Sequence, residues 1–253
     1  MGGRGSSLMR GRLARPSGEE RRPEEERERD TFHYFYDKAR DGFHYEGDGH
    51  HQLEWFSEHT NIDEIADNLT TIDMSAMRYW IEGRFMLGGQ YRGWDNMDRL
   101  EKLCTQTYDD LIDRSTLDRG VTVVRRTTAE LIFGAGHKTA TLAELQAAEG
   151  RIVESKANIS TGAAAEGLTI GGYKKHEFRI HIPGGSTGAG MWIGDPRINK
   201  IFGVDQREFM MNRDISVRVG KTTYDSSKDI YVTDLTYIGR QEHDYGKTGR
   251  IAR

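Results

Sequence analysis

The hydrophobic period of the chain changes once, near Val121, and this change limits the fold to one class. Before Val121, apolar residues recur every three or four positions in two stretches, as they do in amphipathic helices. These stretches contain Met74, Met77, Ile81 and Phe85, and then Met97, Leu100, Cys104, Tyr108 and Leu111. After Val121 the period shortens towards two, which is the period of strands. A helical first part followed by closely spaced strands predicts an α+β fold, and not a parallel sheet built from βαβ units.

Six segments after Val121 are short and rich in β-branched and aromatic residues, which favour strands. They read VTVVRR, RIVESKANIS, EFRIHIP, REFMMNR, ISVRV and DIYVTDLTYI. In EFRIHIP, apolar residues alternate with polar ones, which is typical of a half-buried strand. The apolar set is Phe178, Ile180 and Ile182, and the polar set is Glu177, Arg179 and His181. We therefore expect a strand-rich part at about residues 121–240.

The helical part is expected at about residues 61–117. Asn61 could cap its first helix, and Asp63 and Glu64 stand in the first turn, where the helix dipole favours negative charge. Residues 31–59 are an irregular cluster of aromatics and histidines, for which two interpretations are open. A metal site or recognition arm is one, and packing of the aromatics on the domain is the other. Packing is favoured, because the spacing matches no metal-ligand pattern.

The composition limits the classes of function. Residues 1–30 are almost entirely Gly, Ser, Arg, Pro and Glu, which predicts a disordered charged tail ahead of a single domain at 31–253. A net charge of -4 does not favour a nucleic-acid binder, and one cysteine, Cys104, excludes an intrachain disulfide. No apolar run approaches the roughly 20 residues that span a bilayer, and none follows the basic N-terminus as a secretion signal would. We therefore expect a cytoplasmic protein without a membrane segment.

Three short segments carry polar residues whose types and order indicate a chemistry. The segments are T-V-V-R-R (122–126), A-N-I-S-T-G (157–162) and F-G-V-D-Q-R-E-F-M-M-N-R (202–213). They supply Arg125, then Ser160, then Glu208, each beside a predicted strand. Taken singly, these residues would be a surface ion pair, a turn residue and an exposed strand residue. The ordered set at this spacing points instead to a common site.

In this order and context, the segments resemble the Arg–Ser–Glu class of mono-ADP-ribosyltransferases, which includes clostridial exoenzymes and many phage-encoded transferases. In that family a T-V-x-R-like strand end gives the arginine, S-T-S gives the serine, and E/Q-x-E precedes an apolar run. The resemblance extends from about Ser75 to Ile238 and implies a helical N-terminal part followed by a two-sheet β core. Two positions depart from it. Arg126 stands where glycine is frequent, and Gly162 lacks the third hydroxyl of S-T-S.

The resemblance implies that NAD is the substrate and that a protein side chain accepts ADP-ribose. Cleavage of the nicotinamide–ribose bond develops positive charge on the ribose, and a carboxylate stabilises that charge. The implied catalytic residues are Glu208, Gln206 and Ser160, with Glu208 central and Ser160 orienting either Glu208 or the ribose. Arg125 would bind the diphosphate through two parallel hydrogen bonds, and Thr161 would join Ser160 in binding NAD. This chemistry requires no metal.

Gln206 and Phe202 bear on the acceptor protein, whose identity the sequence leaves open. Family members with Glu at the position of Gln206 mostly modify arginine, whereas those with Gln tend to modify asparagine or glutamine. A neutral amide cannot deprotonate a guanidinium, but it can exchange two hydrogen bonds with an acceptor amide. Phe202 resembles the aromatic that contacts target protein in some exoenzymes, although it lies four residues before Gln206, where three would match better. It could equally be a buried loop anchor.

The stretch TGAAAEGLTIGGYKKH corresponds in the family to a loop that covers nicotinamide and phosphate. There Tyr173 could stack on nicotinamide, and Lys174 or Lys175 could neutralise phosphate, but an ordinary surface connection is an equal alternative. Other functions also remain open. The chain could be a virion-associated structural or vestigial protein, a toxin component that needs a translocation partner, or an NAD glycohydrolase. It could thus be phage-encoded and packaged in a virion or delivered to a host cell.

Overall fold

A computed structural model describes residues 52–81, 90, 93–162, 175–202 and 208–252. The expected tail at 1–30 and the candidate site residues Tyr173 and Gln206 lie outside these ranges. The described helices are α1 (Gln52–His59), α2 (Ile62–Asp67), α3 (Thr71–Ile81), α4 (Arg99–Asp113), α5 (Glu130–Phe133), α6 (Leu142–Ala147) and α7 (Pro196–Phe202). Within the described ranges, none of the helices combines the length and the apolar character needed to cross a membrane.

The strands follow the first four helices, as the change of hydrophobic period predicts. They are β1 (Thr116–Leu117), β2 (Val121–Thr127), β3 (Ile152–Ser155), β4 (Ile159–Gly162), β5 (His176–Ile182), β6 (Ser186–Thr187), β7 (Gly190–Trp192), β8 (Glu208–Met211), β9 (Ile215–Asp225) and β10 (Ile230–Arg240). The α+β prediction is therefore confirmed. The two shortest strands, β1 and β6, form a small sheet of their own.

The other eight strands form one mixed sheet in the order β3-β9-β10-β5-β2-β4-β8-β7. Strands β10 and β5 run parallel, and the remaining pairs that the structure describes are antiparallel. In the middle of this sheet, β2 and β4 are joined by a single residue pair, Val124 with Gly162. The sheet therefore has two parts, one with the five strands from β3 to β2 and one with the three strands β4, β8 and β7. The single β2–β4 residue pair joins them.

Helix α4 begins with a side-chain cap and buries a stripe of residues in the core. The carboxylate of Asp98 accepts hydrogen bonds from the backbone of Leu100 and Glu101, and Glu101 accepts one from the backbone of Asp98. This capping box satisfies amide groups that would otherwise lack partners at the helix start. The residues Cys104, Tyr108 and Leu111 are fully buried in the core, as their spacing predicts. Burial of one such side chain contributes about 1.5–3 kcal/mol.

Among the stripe residues whose side chains the structure describes, two lie outside the core, and Phe85 lies outside the described residues. Leu100, in the first turn of α4, is 41% exposed. Met74 is 37% exposed, whereas Asp73, Ala76 and Met77 are buried. The buried face of α3 is thus rotated by one position, and Thr70 donates two hydrogen bonds to the buried carboxylate of Asp73.

The helical part begins earlier than expected, and Asn61 does not cap it. Its side chain instead accepts from the backbone of Thr116 and donates to the carbonyl of Arg114, so that it ties α2 to the start of β1. Helix α1 lies within the stretch that was expected to be irregular. The packing interpretation of that stretch is nevertheless confirmed for the two aromatics of α1, because Trp55 and Phe56 are buried.

Candidate active site

Arg125, Ser160 and Glu208 meet where the two parts of the large sheet join. Arg125 lies near the end of β2, Ser160 lies in β4, and Glu208 is the first residue of β8. The β4–β8 register pairs Gly162 with Glu208, and the same glycine pairs with Val124 of β2. The three residue types that the sequence singled out are therefore brought together by strand pairing around one glycine.

Arg125 crosses the junction between the two parts of the sheet. Its Nη1 donates a hydrogen bond of 2.6 Å to the backbone carbonyl of Ser160. The contact fixes the planar guanidinium of a partly buried side chain beside β4. The positive charge also acts on Glu208, where it opposes the rise in pKa that burial causes.

Glu208 is a buried carboxyl, with only 6% of the residue exposed. Burial raises its pKa above the usual value, while a hydrogen bond from the Ser160 side chain and the charge of Arg125 oppose that rise. Among the described residues, Oε1 of Glu208 has no hydrogen-bond partner. Because buried polar atoms nearly always have partners, this oxygen is a good candidate for contact with a hydroxyl group of a ligand.

Thr161, which was predicted to bind NAD together with Ser160, has a different environment from Ser160 in β4. Side chains alternate along β4, so Thr161 points to the opposite face from Ser160. Thr161 is fully buried, and its hydroxyl donates a 2.5 Å hydrogen bond to the carbonyl of Phe209. The Thr161 hydroxyl therefore holds β4 against β8, and a contact of Thr161 with NAD stays a prediction.

Arg126, which departs from the family pattern, lies on the other face of β2 from Arg125. Its Nε and Nη2 each donate a 3.1 Å hydrogen bond to Glu177, and Arg179 donates a third at 3.2 Å. Glu177 is fully buried, which corrects its assignment to the open side of a half-buried strand. The pairing explains the burial, because a charge leaves water only when opposite charges and hydrogen bonds compensate it. Arg126 is thereby held away from Glu208.

A buried amide pair that the sequence analysis missed supports β4 ahead of Ser160. Asn158 donates its backbone amide to Oε1 of Gln90 at 2.9 Å, and Gln90 donates back to the Asn158 side chain at 2.6 Å. The side-chain Nδ2 of Asn158 also donates to the backbone carbonyl of Met211 at 3.0 Å, which ties the start of β4 to the end of β8. No signal in one sequence could reveal this pair, because Gln90 is separated from Asn158 by 68 positions.

Tyr108 is a second residue near Glu208 that was expected only as part of a core stripe. Burial raises the pKa of its phenol, and the negative charge of Glu208 raises it further. Helix α4 therefore contributes a neutral phenol to the buried environment of the Glu208 carboxyl.

Two further residues that the sequence singled out, Phe202 and Lys175, lie at the ends of described elements. Phe202 is the last residue of α7, and the structure does not describe its side chain. Lys175 lies at the start of β5, where its Nζ is 3.5 Å from Oδ1 of Asp229. This ion pair gives Lys175 a partner other than phosphate. Within the described ranges, no cluster of three or more His, Cys, Asp or Glu side chains could hold a metal ion.

Comparison of this chain with models of known protein families and with curated protein sequences finds no match. Comparison with solved structures, in contrast, shows the fold of the exoenzyme class of ADP-ribosyltransferase toxins. The α+β fold with a helical first part, which the sequence resemblance implied, is that of this class.

Three of these structures show the extent of the likeness. Plx2a, an ADP-ribosyltransferase toxin from Paenibacillus larvae, has a TM-score of 0.59 at 15% identity, over 74% of this chain and 94% of that one. C3stau2 from S. aureus, solved with NAD, has a TM-score of 0.57 at 13% identity, over 75% and 97%. BECa, an ADP-ribosylating toxin of a C. perfringens binary enterotoxin solved with NADH, has a TM-score of 0.52 at 16% identity, over 73% and 47%.

Proposed function

We propose that this chain is a mono-ADP-ribosyltransferase that cleaves NAD and transfers ADP-ribose to a protein side chain. One observation carries the proposal. The buried carboxyl of Glu208 lies beside the Ser160 hydroxyl and the Arg125 guanidinium, and its Oε1 has no partner among the described residues. The fold shared with ADP-ribosyltransferase toxins supports the same function, and the bound NAD of C3stau2 supports NAD as the substrate.

The chemistry of NAD cleavage suits this set of residues. The bond between ribose C1′ and the nicotinamide nitrogen breaks, both electrons leave with neutral nicotinamide, and the ribose becomes an oxocarbenium ion. The ionised carboxylate of Glu208 stabilises that positive charge in a site from which water is largely excluded. Arg125 holds the diphosphate by charge-assisted hydrogen bonds. Ser160, by its hydrogen bond to Glu208, keeps the carboxyl oriented and favours its ionised form.

Transfer is completed when an acceptor nitrogen forms the new bond to C1′ and loses a proton to water. We further propose that the acceptor is an asparagine or glutamine side chain. The support is the neutral amide of Gln206, two positions before Glu208, which cannot take a proton from a guanidinium but can pair with an acceptor amide. Phe202, at the end of α7, would contact the acceptor protein.

The proposal is tested by incubating the full chain with labelled NAD and a bacterial lysate. Wild type is compared with Glu208→Gln. Glu149→Gln is the control, because it makes the same change at an exposed glutamate. We expect label on protein with wild type and with the control, and none with Glu208→Gln. Mapping of the modified side chain tests the acceptor. Label on arginine contradicts the argument from Gln206, and nicotinamide release without labelled protein favours hydrolysis of NAD.

A further inference from the structure

Arg197, in the first turn of α7, binds three carboxylates. One belongs to Asp195, just before α7, and the other two lie on α2. The backbone amide and Nε of Arg197 donate to Oδ1 of Asp195 at 2.8 and 3.0 Å, and its Nη2 donates to Oδ2 at 3.0 Å. The same guanidinium reaches α2, where Nη1 donates to Asp67 at 2.9 Å and Nη2 donates to Asp63. Asp63 and Asp67 are four positions apart and therefore lie on one face of α2. We call this set the Arg197 bridge.

The bridge fixes an orientation more than it stabilises the fold. Asp195 is buried, but the side chains of Asp63 and Asp67 are 69% and 70% exposed. Ion pairs exposed to this degree contribute little to stability, because water and salt screen them. A guanidinium bound to carboxylates on two helices is nevertheless directional, since its donors lie in one rigid plane. The bridge thus sets the direction of the first turn of α7 relative to α2.

Helix α7 belongs to the connection between the paired strands β7 and β8. The helix follows Trp192, the last residue of β7, and β8 then begins at Glu208. Ile198 anchors α7 in the core, while α2 is anchored by Ile62 and Ile65, all three at 2% exposure or less. The Arg197 bridge is a polar contact that links these two apolar anchors. Helix α7 packs against α3, and the bridge adds a directional polar contact from its first turn to α2. Glu208 is held separately, by the pairing of β8 with β4 and β7.

We infer that Arg197 is a positioning residue for the acceptor protein, an inference that rests on the transferase function proposed above. The bridge holds the start of the β7–β8 connection against α2, so that an acceptor side chain meets the ribose in line with Glu208. Arg197 is bonded to Asp195, Asp63 and Asp67, and Arg125 is bonded to Ser160, so the two arginines act separately. Loss of the bridge uncouples transfer to protein from cleavage of NAD.

The experiment uses the full chain with labelled NAD and a bacterial lysate, and measures labelled protein per nicotinamide released. The variants are Arg197→Gln, Asp63→Asn with Asp67→Asn, and all three changes together. Arg197→Lys retains the charge without the planar fork. Arg119→Gln is the matched control, an exposed arginine between β1 and β2 for which the described residues provide no ion pair. Hydrogen exchange of residues 196–202 and the melting temperature are recorded for each variant.

We expect Arg197→Gln and the double aspartate variant each to lower labelled protein per nicotinamide by roughly tenfold, since misplacing a reacting group by about 1 Å costs up to about a hundredfold. The triple variant should be no worse than either, because all of them break one network. Exchange in 196–202 should rise several-fold, while nicotinamide release, the KM for NAD and the melting temperature stay near wild type. Arg197→Lys should restore labelling only in part, and Arg119→Gln should match wild type.

Three results overturn the inference while leaving the proposed function in place. They are unchanged labelling per nicotinamide in Arg197→Gln, a parallel fall in nicotinamide release, and normal labelling by the double aspartate variant when Arg197→Gln is impaired. The last would mean that Arg197 touches the acceptor directly. A wild type that cleaves NAD but labels no protein overturns both the transfer function and this inference. A folded wild type that does not cleave NAD contradicts the proposed function itself.

Discussion

The protonation state of Glu208 sets the pH range in which the proposed site can work. Burial raises the pKa of this carboxyl, and the Ser160 hydrogen bond and the charge of Arg125 hold the rise in check. Only the ionised carboxylate stabilises an oxocarbenium ion, so the rate of NAD cleavage should rise with pH through a pKa above the usual range for glutamate. Ser160→Ala removes a hydrogen bond to the charged form and should move this acid limb to higher pH.

This prediction is checked by measuring kcat/KM for nicotinamide release between roughly pH 4 and pH 8, the range around the titration of carboxyl groups. Ser216→Ala serves as the control, because it removes a hydroxyl from β9, in the other part of the sheet. An acid limb that stays in place in Ser160→Ala would show that Ser160 does not act on the Glu208 carboxyl.

Arg125→Lys tests the proposed binding of the diphosphate. Lysine retains the positive charge but lacks the planar fork that can bond to Ser160 and to a phosphate at once. We expect the KM for NAD to rise roughly ten- to hundredfold, which corresponds to the loss of one charge-assisted hydrogen bond of about 1.5–3 kcal/mol. Steady-state kinetics of nicotinamide release measure this. An unchanged KM would assign the diphosphate to other residues.

At the scale of elements, the buried Glu177 links the adjacent strands β2 and β5. Its carboxylate accepts three hydrogen bonds from Arg126 and Arg179. Glu177→Ala should lower the free energy of unfolding by about 3–5 kcal/mol, because breaking a buried pair leaves a guanidinium without compensation. Urea unfolding measures the loss, with Glu149→Gln as the exposed control. A loss below about 1 kcal/mol, typical of surface pairs, would contradict this account.

The sequence was most informative about elements that follow a simple period. The change of period near Val121, the stripe of Cys104, Tyr108 and Leu111, and the alternating strand around Phe178 all appear in the structure. Periodicity failed where polar groups are buried in pairs. Glu177 was assigned to an open face because its partner Arg126 lies 51 positions away, and strand pairing across that distance is invisible to a local pattern.

The candidate site was predictable only in part, for a related reason. Arg125, Ser160 and Glu208 could be identified from their order and their positions at strand ends. The sequence alone could not show that Thr161 faces away from Ser160 towards Phe209, because that depends on the register of β4 with β8. Gln90 was missed altogether, since an isolated glutamine in a helical stretch is ordinarily an exposed residue.

At the scale of the whole molecule, the residues that follow β10 close over α4 through a network of charges around His243. The His243 ring lies 3.1 Å from Oδ1 of Asp113, 3.3 Å from Oδ2 of Asp214 and 3.8 Å from Oδ1 of Asp109. Arg213 donates three hydrogen bonds to the buried Asp109. Further contacts come from Tyr245, which donates to Asp109, and from Arg240, which pairs with Asp113.

This network predicts a loss of stability at alkaline pH. Burial alone would lower the pKa of His243, but its bonds to Asp113 and Asp214 and the charge of Asp109 raise it to about 9, against repulsion from Arg213. Because the folded pKa exceeds that of the unfolded chain, the stabilisation is complete below about pH 6.5 and is lost as pH rises through about 9. We expect a loss of about 1–3 kcal/mol after allowance for solvent screening.

Urea unfolding at several pH values across this window measures that loss. His243→Gln removes the titrating group and should flatten the pH dependence there, with a lower free energy of unfolding at neutral pH than wild type. His137→Gln is the control, since His137 is an exposed histidine. If wild type and His243→Gln lose stability in parallel between these pH values, His243 is not the group responsible.

The central claim is that Arg125, Ser160 and Glu208 form a site that cleaves NAD. It is tested most directly by the release of nicotinamide from NAD by the purified full chain, with Glu208→Gln and Glu149→Gln alongside. We predict release by wild type and by Glu149→Gln, and a fall of at least about a hundredfold in Glu208→Gln, the scale seen when one stabilising group for a transition state is removed. Equal release by wild type and a folded Glu208→Gln would contradict the claim.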